Sequence, residues 1–231
     1  MDTPRPHSPA NDSTDWRTRL RALPVLTGEL PAFDPDSVSD DPQTLFGAWL
    51  DAAIEDGVRA PHAATLSTSD GAGDVSARTL ILKDIDERGW WFASRSDGRK
   101  SRDLAADPRA AMTFLWREHG RQVRVTGTVV DAGRAAADAD FLARPAHSRA
   151  AAVIGTQSAP MPSRADYLRA FEDAKDAAAA HPDRTSPVWT AYVLVPLTVE
   201  FWASTPTSGP VRLSYRRDGV TEPWCRGLLW P

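Results

Sequence analysis

Two short segments carry the cationic and hydroxyl side chains that binding of a phosphate group requires. The segment 78–83, RTLILK, has a cation at each end of an apolar run. The segment 93–100, ASRSDGRK, ends a predicted strand and opens a predicted helix, with Arg99 and Lys100 side by side. Hydroxyls, a glycine and adjacent cations beside the free N–H groups of a helix start suit a phosphate. Solvated surface charge explains the same pattern, so spacing alone leaves both interpretations open.

Several common catalytic motifs are missing from the sequence. Gly71 and Gly73 have the spacing of the first two glycines of a dinucleotide-binding motif, but Ser76 stands where the third belongs. No Walker loop, HExxH or GxSxG motif occurs. The five histidines are scattered, with no pair four residues apart, so a metal site is not predicted.

Composition and charge narrow the class of protein. The 231 residues are 42% hydrophobic and 25% charged, which is ordinary for a soluble globular protein. A formal net charge of −4 argues against a nucleic-acid partner. Because Cys225 is the single cysteine, an internal disulfide is ruled out and a cytoplasmic location is predicted. Cys225 itself is predicted to be a buried strand residue. No apolar run approaches ~18 residues and no secretory leader is recognisable, so a membrane partner is not expected.

The elements that must position the cations follow in the order helix, five strands, helices, four strands. Apolar spacing predicts a helix at 42–57 and a short helix that ends before Pro108. Strands are predicted at 63–69, 75–83, 90–94, 109–117, 121–131, 189–195, 198–203, 211–217 and 223–229, and further helices at 133–143, 148–157 and 163–180. Adjacent strands with segregated helices indicate an α+β fold, with a closed or split antiparallel barrel as its core.

Seven stretches of the chain form a pattern whose order and spacing are more specific than any one motif. They are RTLILK (78–83), GWWFASRSDGRKSRDLAADPRAAMTFLW (89–116), RQVRVTGTV (121–129), FLARPAHS (141–148), TQSAPMPSR (156–164), EFW (200–202) and VRLSYRRDG with the segment that follows it (211–231). Together they resemble the pyridoxamine 5′-phosphate oxidase family of FMN-dependent flavoenzymes. The resemblance covers about residues 42–231 and implies an antiparallel Greek-key split β-barrel with peripheral helices, FMN as cofactor and a homodimer with FMN sites at its interface.

The resemblance implies a cofactor role for each matching position. The implied FMN-binding residues are Arg78, Thr79, Leu80, Ile81, Leu82, Lys83, Ala93, Ser94, Arg99, Lys100, Gln122, Gln157, Ser158, Trp202 and Arg212. Of these, Arg78, Arg99 and Lys100 would hold the phosphate, and Gln122 would face the flavin. The residues implied to come from the opposite subunit are Gln157, Ser158, Trp202 and Arg212.

The resemblance also implies catalytic and substrate-binding residues. Lys83 would lie near flavin and substrate, and Arg212 would be a cation that stabilises the reduced, anionic ring. Lys83, Arg144 and Ser148 match positions that grip a substrate phosphate. The family's tyrosine position is Asp140, which would repel a phosphate, and its Arg-Leu-His positions read Ser-Gly-Pro at 208–210.

The domain prediction follows from these assignments. Residues 1–40, with six prolines, are predicted to be a disordered or loosely draped arm. Residues 41–231 are predicted to form one split-barrel domain. Its parts are an FMN-binding core (41–131), a helical segment (132–187) and C-terminal dimerisation strands (188–231).

The favoured function is oxidation of a small amine or alcohol by hydride transfer to FMN, with O2 as electron acceptor. Pyridoxamine or pyridoxine 5′-phosphate is the substrate that the resemblance implies, with a role in pyridoxine biosynthesis. One alternative is a diverged flavoenzyme that oxidises a secondary metabolite, such as a phenazine-type dihydro-heterocycle. The others are a non-catalytic flavin- or haem-binding protein on the same barrel, and a structural protein that has lost the cofactor.

Overall fold

The structure, a computed structural model, describes residues 15–26, 28–205 and 209–231. Its helices are α1 (Trp16–Arg21), α2 (Pro42–Glu55), α3 (Arg99–Ala106), α4 (Arg134–Ala143), α5 (Ala146–Val153) and α6 (Arg164–Ala180). Its strands are β1 (Ala63–Ser69), β2 (Val75–Ile81), β3 (Asp84–Asp86), β4 (Gly89–Arg95), β5 (Arg109–Trp116), β6 (Arg121–Asp131), β7 (Trp189–Ala203), β8 (Val211–Arg216) and β9 (Cys225–Leu229).

The strands form one antiparallel sheet, which curls into a half-barrel with helices at its periphery. The strand order is β2-β1-β5-β6-β7-β4-β3, and β8 and β9 continue outward from β7. The predicted α+β split-barrel class is confirmed. The predicted bounds of β1 and β6 are also confirmed. Buried side chains occupy every second position of β1 and of the first half of β6, and this period of two is the signal of a strand.

Helix α2 closes the core of the half-barrel with aromatic side chains. It begins at Asp41, whose carboxylate accepts hydrogen bonds from the N–H groups of residues 43 and 44. Phe46 lies edge-on to Phe114 with ring centroids 4.7 Å apart, and Trp49 lies edge-on to Phe201 at 5.1 Å. Each such pair contributes about 1 kcal/mol beyond simple area burial, so α2 ties strands from both sides of the sheet together.

The predicted break between strands at 189–195 and 198–203 is wrong, since these residues form the single 15-residue strand β7. The pairing of β6 with β7 shifts register between Thr126 and Gly127, opposite Pro196. Proline has no N–H to donate to a ladder, and an irregularity in the pairing accommodates it. One long strand therefore connects the two ends of the barrel.

Smaller differences concern the segments that border the strands. The short strand β3 is missing from the prediction because three residues carry too little periodicity to be recognised. Strand β2 ends at Ile81, two residues before the predicted limit, and α5 spans 146–153 rather than 148–157. Helix boundaries are the part of a pattern that side-chain spacing defines least well.

The part of the predicted arm nearest the barrel is attached to it. Residues 1–14 and 27 lie outside the described residues, and α1 contains no buried residue. Phe33 and Val38, by contrast, pack against the main core. The Tyr215 hydroxyl donates to the backbone oxygen of Ser39 at 2.6 Å. The domain boundaries themselves stay predictions.

The last strand lies uncovered in the single chain. Every residue of β9 is exposed, including Cys225, so the prediction that this cysteine is buried is wrong. Leu228 and Trp230 are 63% and 92% exposed. Apolar side chains at an unpaired sheet edge are typical of an interface.

Candidate functional site

A cavity of about 600 Å³ lies where β2, β4 and the start of α3 face α5 and the turn that follows it. We call it the cationic pocket. The predicted site residues that line it are Arg78, Thr79, Leu80, Ala93, Ser94, Arg99, Lys100, Arg144, Gln157 and Ser158. The two cationic segments of the sequence therefore meet in space, and the three predicted phosphate ligands share one pocket.

The local backbone at 95–99 opens the pocket to an anion. Strand β4 ends at Arg95, and α3 begins at Arg99 after Gly98, with no side chain capping its first turn. A Cβ atom at Gly98 would lie 2.1 Å from the Gln157 side-chain oxygen. A side chain at position 98 would therefore displace the Gln157 amide from its place over the pocket. The positive end of α3 points at the pocket, where a negative charge is favoured.

Arg78 and Asp103 anchor one wall of the pocket. The Arg78 guanidinium donates to the Thr68 hydroxyl at 2.8 Å and to the Ser76 hydroxyl, and lies 3.8 Å from the Asp103 carboxylate. Burial acts to raise the pKa of Asp103, but hydrogen bonds from Thr68 and Ser76 and the charges of two arginines lower it below its usual value. Asp103 is therefore a fixed anion that orients the arginines.

Lys100 brings a buried ammonium group into the pocket. Its Nζ donates to the Ser94 hydroxyl at 2.7 Å and to the Gln157 side-chain oxygen at 3.0 Å. Burial, and next the charge of Arg78, lower the pKa of Lys100 below its usual value. Both hydrogen-bond partners are neutral, so a bound anion would supply the negative charge that pairs with this ammonium.

The predicted flavin-facing residues do not lie in this pocket. Gln122 pairs with Trp202 across β6 and β7, and Trp202 pairs with Arg212 across β7 and β8. Strand β6 is three positions from β2 in the sheet, about 14 Å at ~4.8 Å per strand. We call Gln122, Trp202 and Arg212 the distal group. The resemblance assigns Trp202, but not Gln122, to the opposite subunit, whereas the structure makes the two residues neighbours within one chain.

Gln157 also differs from its implied origin. The resemblance assigned it to the opposite subunit, but its side-chain oxygen accepts a hydrogen bond from Lys100 of its own chain. Ser158 follows it with a φ of +68°, a left-handed conformation that is uncommon outside glycine. The turn thus lies over the pocket within one chain.

The remaining residues of 78–83 divide among different environments. Ile81 is 40% exposed on the outer face of the sheet, and Leu82 is buried in the core. Lys83 lies beyond the end of β2, in a hollow beside the cationic pocket, with its Nζ 3.4 Å from Asp140. Arg144, which lines the pocket, donates to the backbone oxygen of Ser148 at 3.1 Å.

The loop before β8 is described only in part. Ser208 lies outside the described residues, while Gly209 has a φ of +78°. The sequence prediction for 208–210, that substrate-gripping side chains are replaced there, stays a prediction.

Glu200 is a site residue that sequence reasoning missed. Its buried carboxylate accepts from Arg124 at 2.5 Å and from the Arg212 Nε at 3.1 Å. Arg212 also donates to the backbone oxygen of Trp230 at 2.7 Å. The pairing of the EFW strand with VRLSY brings these groups together, so the signal lay in strand pairing rather than in a motif.

Arg95 is a second missed residue, and it fastens the turn that carries Gln157. Its guanidinium donates to the backbone oxygens of Ala152 at 2.7 Å and Gly155 at 2.8 Å. Hydrogen bonds to Asp97 raise its pKa further above its already high value. Because Arg95 is buried, its removal leaves those oxygens without their donors.

We expect Arg95→Met to lower the free energy of unfolding by about 3 kcal/mol, since charge-assisted hydrogen bonds contribute about 1.5–3 kcal/mol each. Urea denaturation measures the change. The control is Arg109→Met, because the side chain of Arg109 is 82% exposed and pairs at the surface with Asp107. Equal midpoints for both variants would show that Arg95 does not hold the turn.

Among the described residues, no group of three or more His, Cys, Asp or Glu side chains is arranged to hold a metal ion. No helix in the same part of the chain has the length and apolarity that a membrane crossing requires.

Comparison with known proteins gives two family matches. Residues 50–176 match the model of the pyridoxamine 5′-phosphate oxidase family. Residues 189–231 match that of the pyridoxine 5′-phosphate oxidase C-terminal dimerisation region. Among curated relatives, a pyridoxine/pyridoxamine 5′-phosphate oxidase of Rubrobacter xylanophilus is 37% identical over 196 residues, 85% of this chain and 89% of the relative. One from Burkholderia lata is 38% identical over 201 residues, 87% of this chain and 94% of the relative.

Two solved structures resemble the fold. The crystal structure of PhzG from Burkholderia lata 383, in complex with tetrahydrophenazine-1-carboxylic acid, matches with a TM-score of 0.82 and 30% identity, covering 88% of this chain and all of that one. A pyridoxamine 5′-phosphate oxidase-related, FMN-binding protein from Nostoc punctiforme matches with a TM-score of 0.69 and 17% identity, covering 84% and 100%. The second similarity concerns the fold alone.

Proposed function

The chain belongs to the pyridoxamine 5′-phosphate oxidase family, and from that premise we propose that it is an oxidase that uses FMN and O2. Its substrate is a small molecule from which a hydride leaves a carbon that carries an amine or alcohol. The observation that carries the proposal is the cationic pocket, in which Arg78, Arg99 and Lys100 converge on one cavity. Membership of the family makes the chain an oxidoreductase.

The residues of the pocket fit the phosphate of FMN. Arg78, Arg99 and Lys100 outnumber Asp103, and Gly98 leaves the start of α3 open beside them. FMN, when bound, supplies the hydride acceptor, while the protein supplies binding, orientation and charge. In this proposal Ala93 and Ser94 flank the cofactor, and Gln157 covers the phosphate from the same chain.

We also propose that the distal group completes the pocket of a partner subunit. The chain carries the family's C-terminal dimerisation region, and strand β9, which pairs with the strand of Arg212, is exposed along its whole length in the single chain. Two-fold symmetry lets each chain supply a cationic pocket to one site and Arg212 to the other. Glu200 would then hold the Arg212 guanidinium in one orientation, so that a fixed cation lies ready for the negative charge of a bound flavin.

Aerobic turnover tests the oxidase proposal. The purified protein, saturated with FMN, is incubated with pyridoxamine 5′-phosphate or pyridoxine 5′-phosphate, and hydrogen peroxide and the aldehyde product are assayed. Hydrogen peroxide and aldehyde are expected in equal amounts from whichever of these compounds is oxidised. An absence of peroxide at saturating substrate, together with no bleaching of the flavin without oxygen, would contradict oxidation of these compounds, and with them a role in pyridoxine biosynthesis.

A second candidate activity is oxidation of a dihydro-heterocycle. PhzG, whose structure holds a tetrahydrophenazine carboxylic acid, is 30% identical to this chain. Asp140, where a phosphate-gripping tyrosine was implied, adds negative charge beside the substrate lysine. Anaerobic bleaching of the flavin by a dihydrophenazine carboxylic acid, but not by pyridoxamine 5′-phosphate, would favour this activity.

Lys83 is expected to matter more for turnover than for cofactor retention. Lys83→Met should lower kcat/KM at least about tenfold, because the ammonium lies in the hollow beside the pocket rather than among the phosphate ligands. The dissociation constant for FMN should change less than about threefold. Steady-state kinetics and flavin fluorescence measure the two quantities. Lys175→Met, an exposed surface lysine paired with Glu172, is the control, and loss of FMN from Lys83→Met would overturn the assignment.

A further inference from the structure

Beside the cationic pocket lies a smaller hollow of about 190 Å³, which we call the substrate hollow. Ala93 lines both cavities, so they are neighbours. The charged residues that line the substrate hollow are Lys83, Asp84 and Asp140. A single cation thus shares this small space with two carboxylates.

Asp140 is held firmly in place at this hollow. One carboxylate oxygen lies 3.4 Å from the Lys83 ammonium, and the other accepts a hydrogen bond from the Trp189 indole N–H at 2.7 Å. The side chain is only 18% exposed. Asp140 therefore engages the lysine that the proposed function assigns to substrate binding.

Arg144, the second cation implied for a substrate phosphate, is held on one side only, and its buried Nε has no hydrogen-bond partner among the described residues. Its guanidinium lies 4.3 Å from the centre of the Trp189 ring and donates to the backbone oxygen of Ser148. Burial lowers its pKa, while the charge of Asp140 acts to raise it. Arg144 and Asp140 thus both contact the Trp189 indole, and the negative charge of Asp140 favours the charged form of Arg144.

The two neighbouring cavities differ in their balance of charge. Five cations line the cationic pocket, namely Arg78, Arg95, Arg99, Lys100 and Arg144, and the carboxylates of Asp97 and Asp103 pair with three of them. At the substrate hollow, Lys83 is the one lining cation and stands against the two carboxylates of Asp84 and Asp140. A phosphate dianion is favoured by the first arrangement and gains little from the second.

We propose that Asp140 is a specificity-determining residue, which makes this chain select ring substrates that carry at most one negative charge over phosphate esters. The inference rests on the proposed function, since it concerns the substrate of that same site. A ring carboxylate brings one negative charge and an uncharged ring brings none, so neither requires Lys83 to leave Asp140. A phosphate ester needs Lys83 released from Asp140, with a carboxylate left beside the dianion.

Equilibrium binding tests the proposal without turnover. The probes are 4-deoxypyridoxine and its 5′-phosphate. Each has a methyl group in place of the hydroxymethyl or aminomethyl group that is oxidised in a substrate. Calorimetry on the FMN-loaded protein gives the ratio of the two dissociation constants. Asp140→Asn removes the charge and keeps an oxygen that can accept from Trp189. Asp138→Asn, which removes a charge paired with Arg134 on the same helix, is the matched control.

We expect the phosphorylated probe to bind wild-type protein no more than about threefold tighter than the unphosphorylated one. Asp140→Asn should raise that preference at least about tenfold, mainly by tightening the phosphorylated probe, and Asp138→Asn should leave it unchanged. An equal preference in wild type and Asp140→Asn overturns the proposal, as does undetectable binding of both probes to both proteins. Flavin bleaching by oxidisable substrates, measured in parallel, tests the oxidase function separately.

Discussion

Replacing Arg99 and Lys100 together with alanine is expected to raise the dissociation constant for FMN at least about a hundredfold, so that the protein purifies colourless. Hydrogen bonds between ionised partners are about twice as strong as neutral ones, and two are lost here. A hundredfold change is about 2.7 kcal/mol, a cautious figure because the side chain of Arg99 is half exposed and its charge is partly screened. Fluorescence titration of the protein with FMN measures the loss.

The loss of FMN should occur without unfolding. Burial and Arg78 lower the pKa of Lys100, so its charge is held less favourably in the folded protein than in water. Removing it relieves repulsion with Arg78 but also removes the hydrogen bonds to Ser94 and Gln157, so the urea midpoint without FMN should change little. The control is Arg102→Ala with Arg109→Ala, two cations outside the pocket. FMN retained by Arg99→Ala/Lys100→Ala, or an equal loss in the control, would contradict the phosphate assignment.

The cationic pocket could be predicted from sequence because its parts are local. Arg99 and Lys100 are consecutive residues at the start of a helix, and Ser94 lies at the end of the preceding strand. A strand, a short turn and a helix bring such residues to one place whatever the rest of the chain does. Arg78 joins them because β2 runs alongside β1, to which α3 packs.

Contacts that depend on the curl of the sheet could not be predicted in the same way. Asp140 meets Lys83 only because α4 packs against the sheet near the start of β7. Their separation of 57 positions in the chain carries no periodic signal. Sequence reasoning recognised that Asp140 is unusual for its family, but not that its carboxylate pairs with a lysine of the same site.

The distal group shows a limit of another kind. Gln122, Trp202 and Arg212 were assigned roles toward a flavin, yet a single chain does not bring them to the cationic pocket. A residue that acts across an interface can be recognised by resemblance, but its surroundings depend on a second copy of the chain. Strand β9, which pairs with the strand of Arg212, is exposed and would lie at the same interface in the proposed homodimer.

Gly127→Ala is expected to cost about 3 kcal/mol or more of unfolding free energy. A Cβ at this position would lie 2.0 Å from the Val195 backbone oxygen and 2.9 Å from the Pro196 Cα. These are backbone atoms in the middle of the sheet, so they cannot turn away as a flexible side chain does. Urea denaturation measures the change. Gly47→Ala in α2 is the control, because a Cβ there meets nothing within 4 Å and alanine favours helix by about 1 kcal/mol.

The same substitution tests how strand β7 connects the surroundings of the cationic pocket to the distal group, which in the proposed homodimer serve two different sites. Strand β7 carries Trp189, which contacts Asp140 and Arg144, at one end and Trp202 at the other. The register shift at Gly127 sets how these two ends are placed against β6. We therefore expect the Gly127→Ala variant, at a low temperature where it is folded, to have raised dissociation constants for both substrate and FMN. Wild-type stability in this variant would mean that β6 and β7 pair without the close approach at Gly127. It would contradict the idea that the register shift at this glycine sets the positions of the two ends of β7 relative to β6.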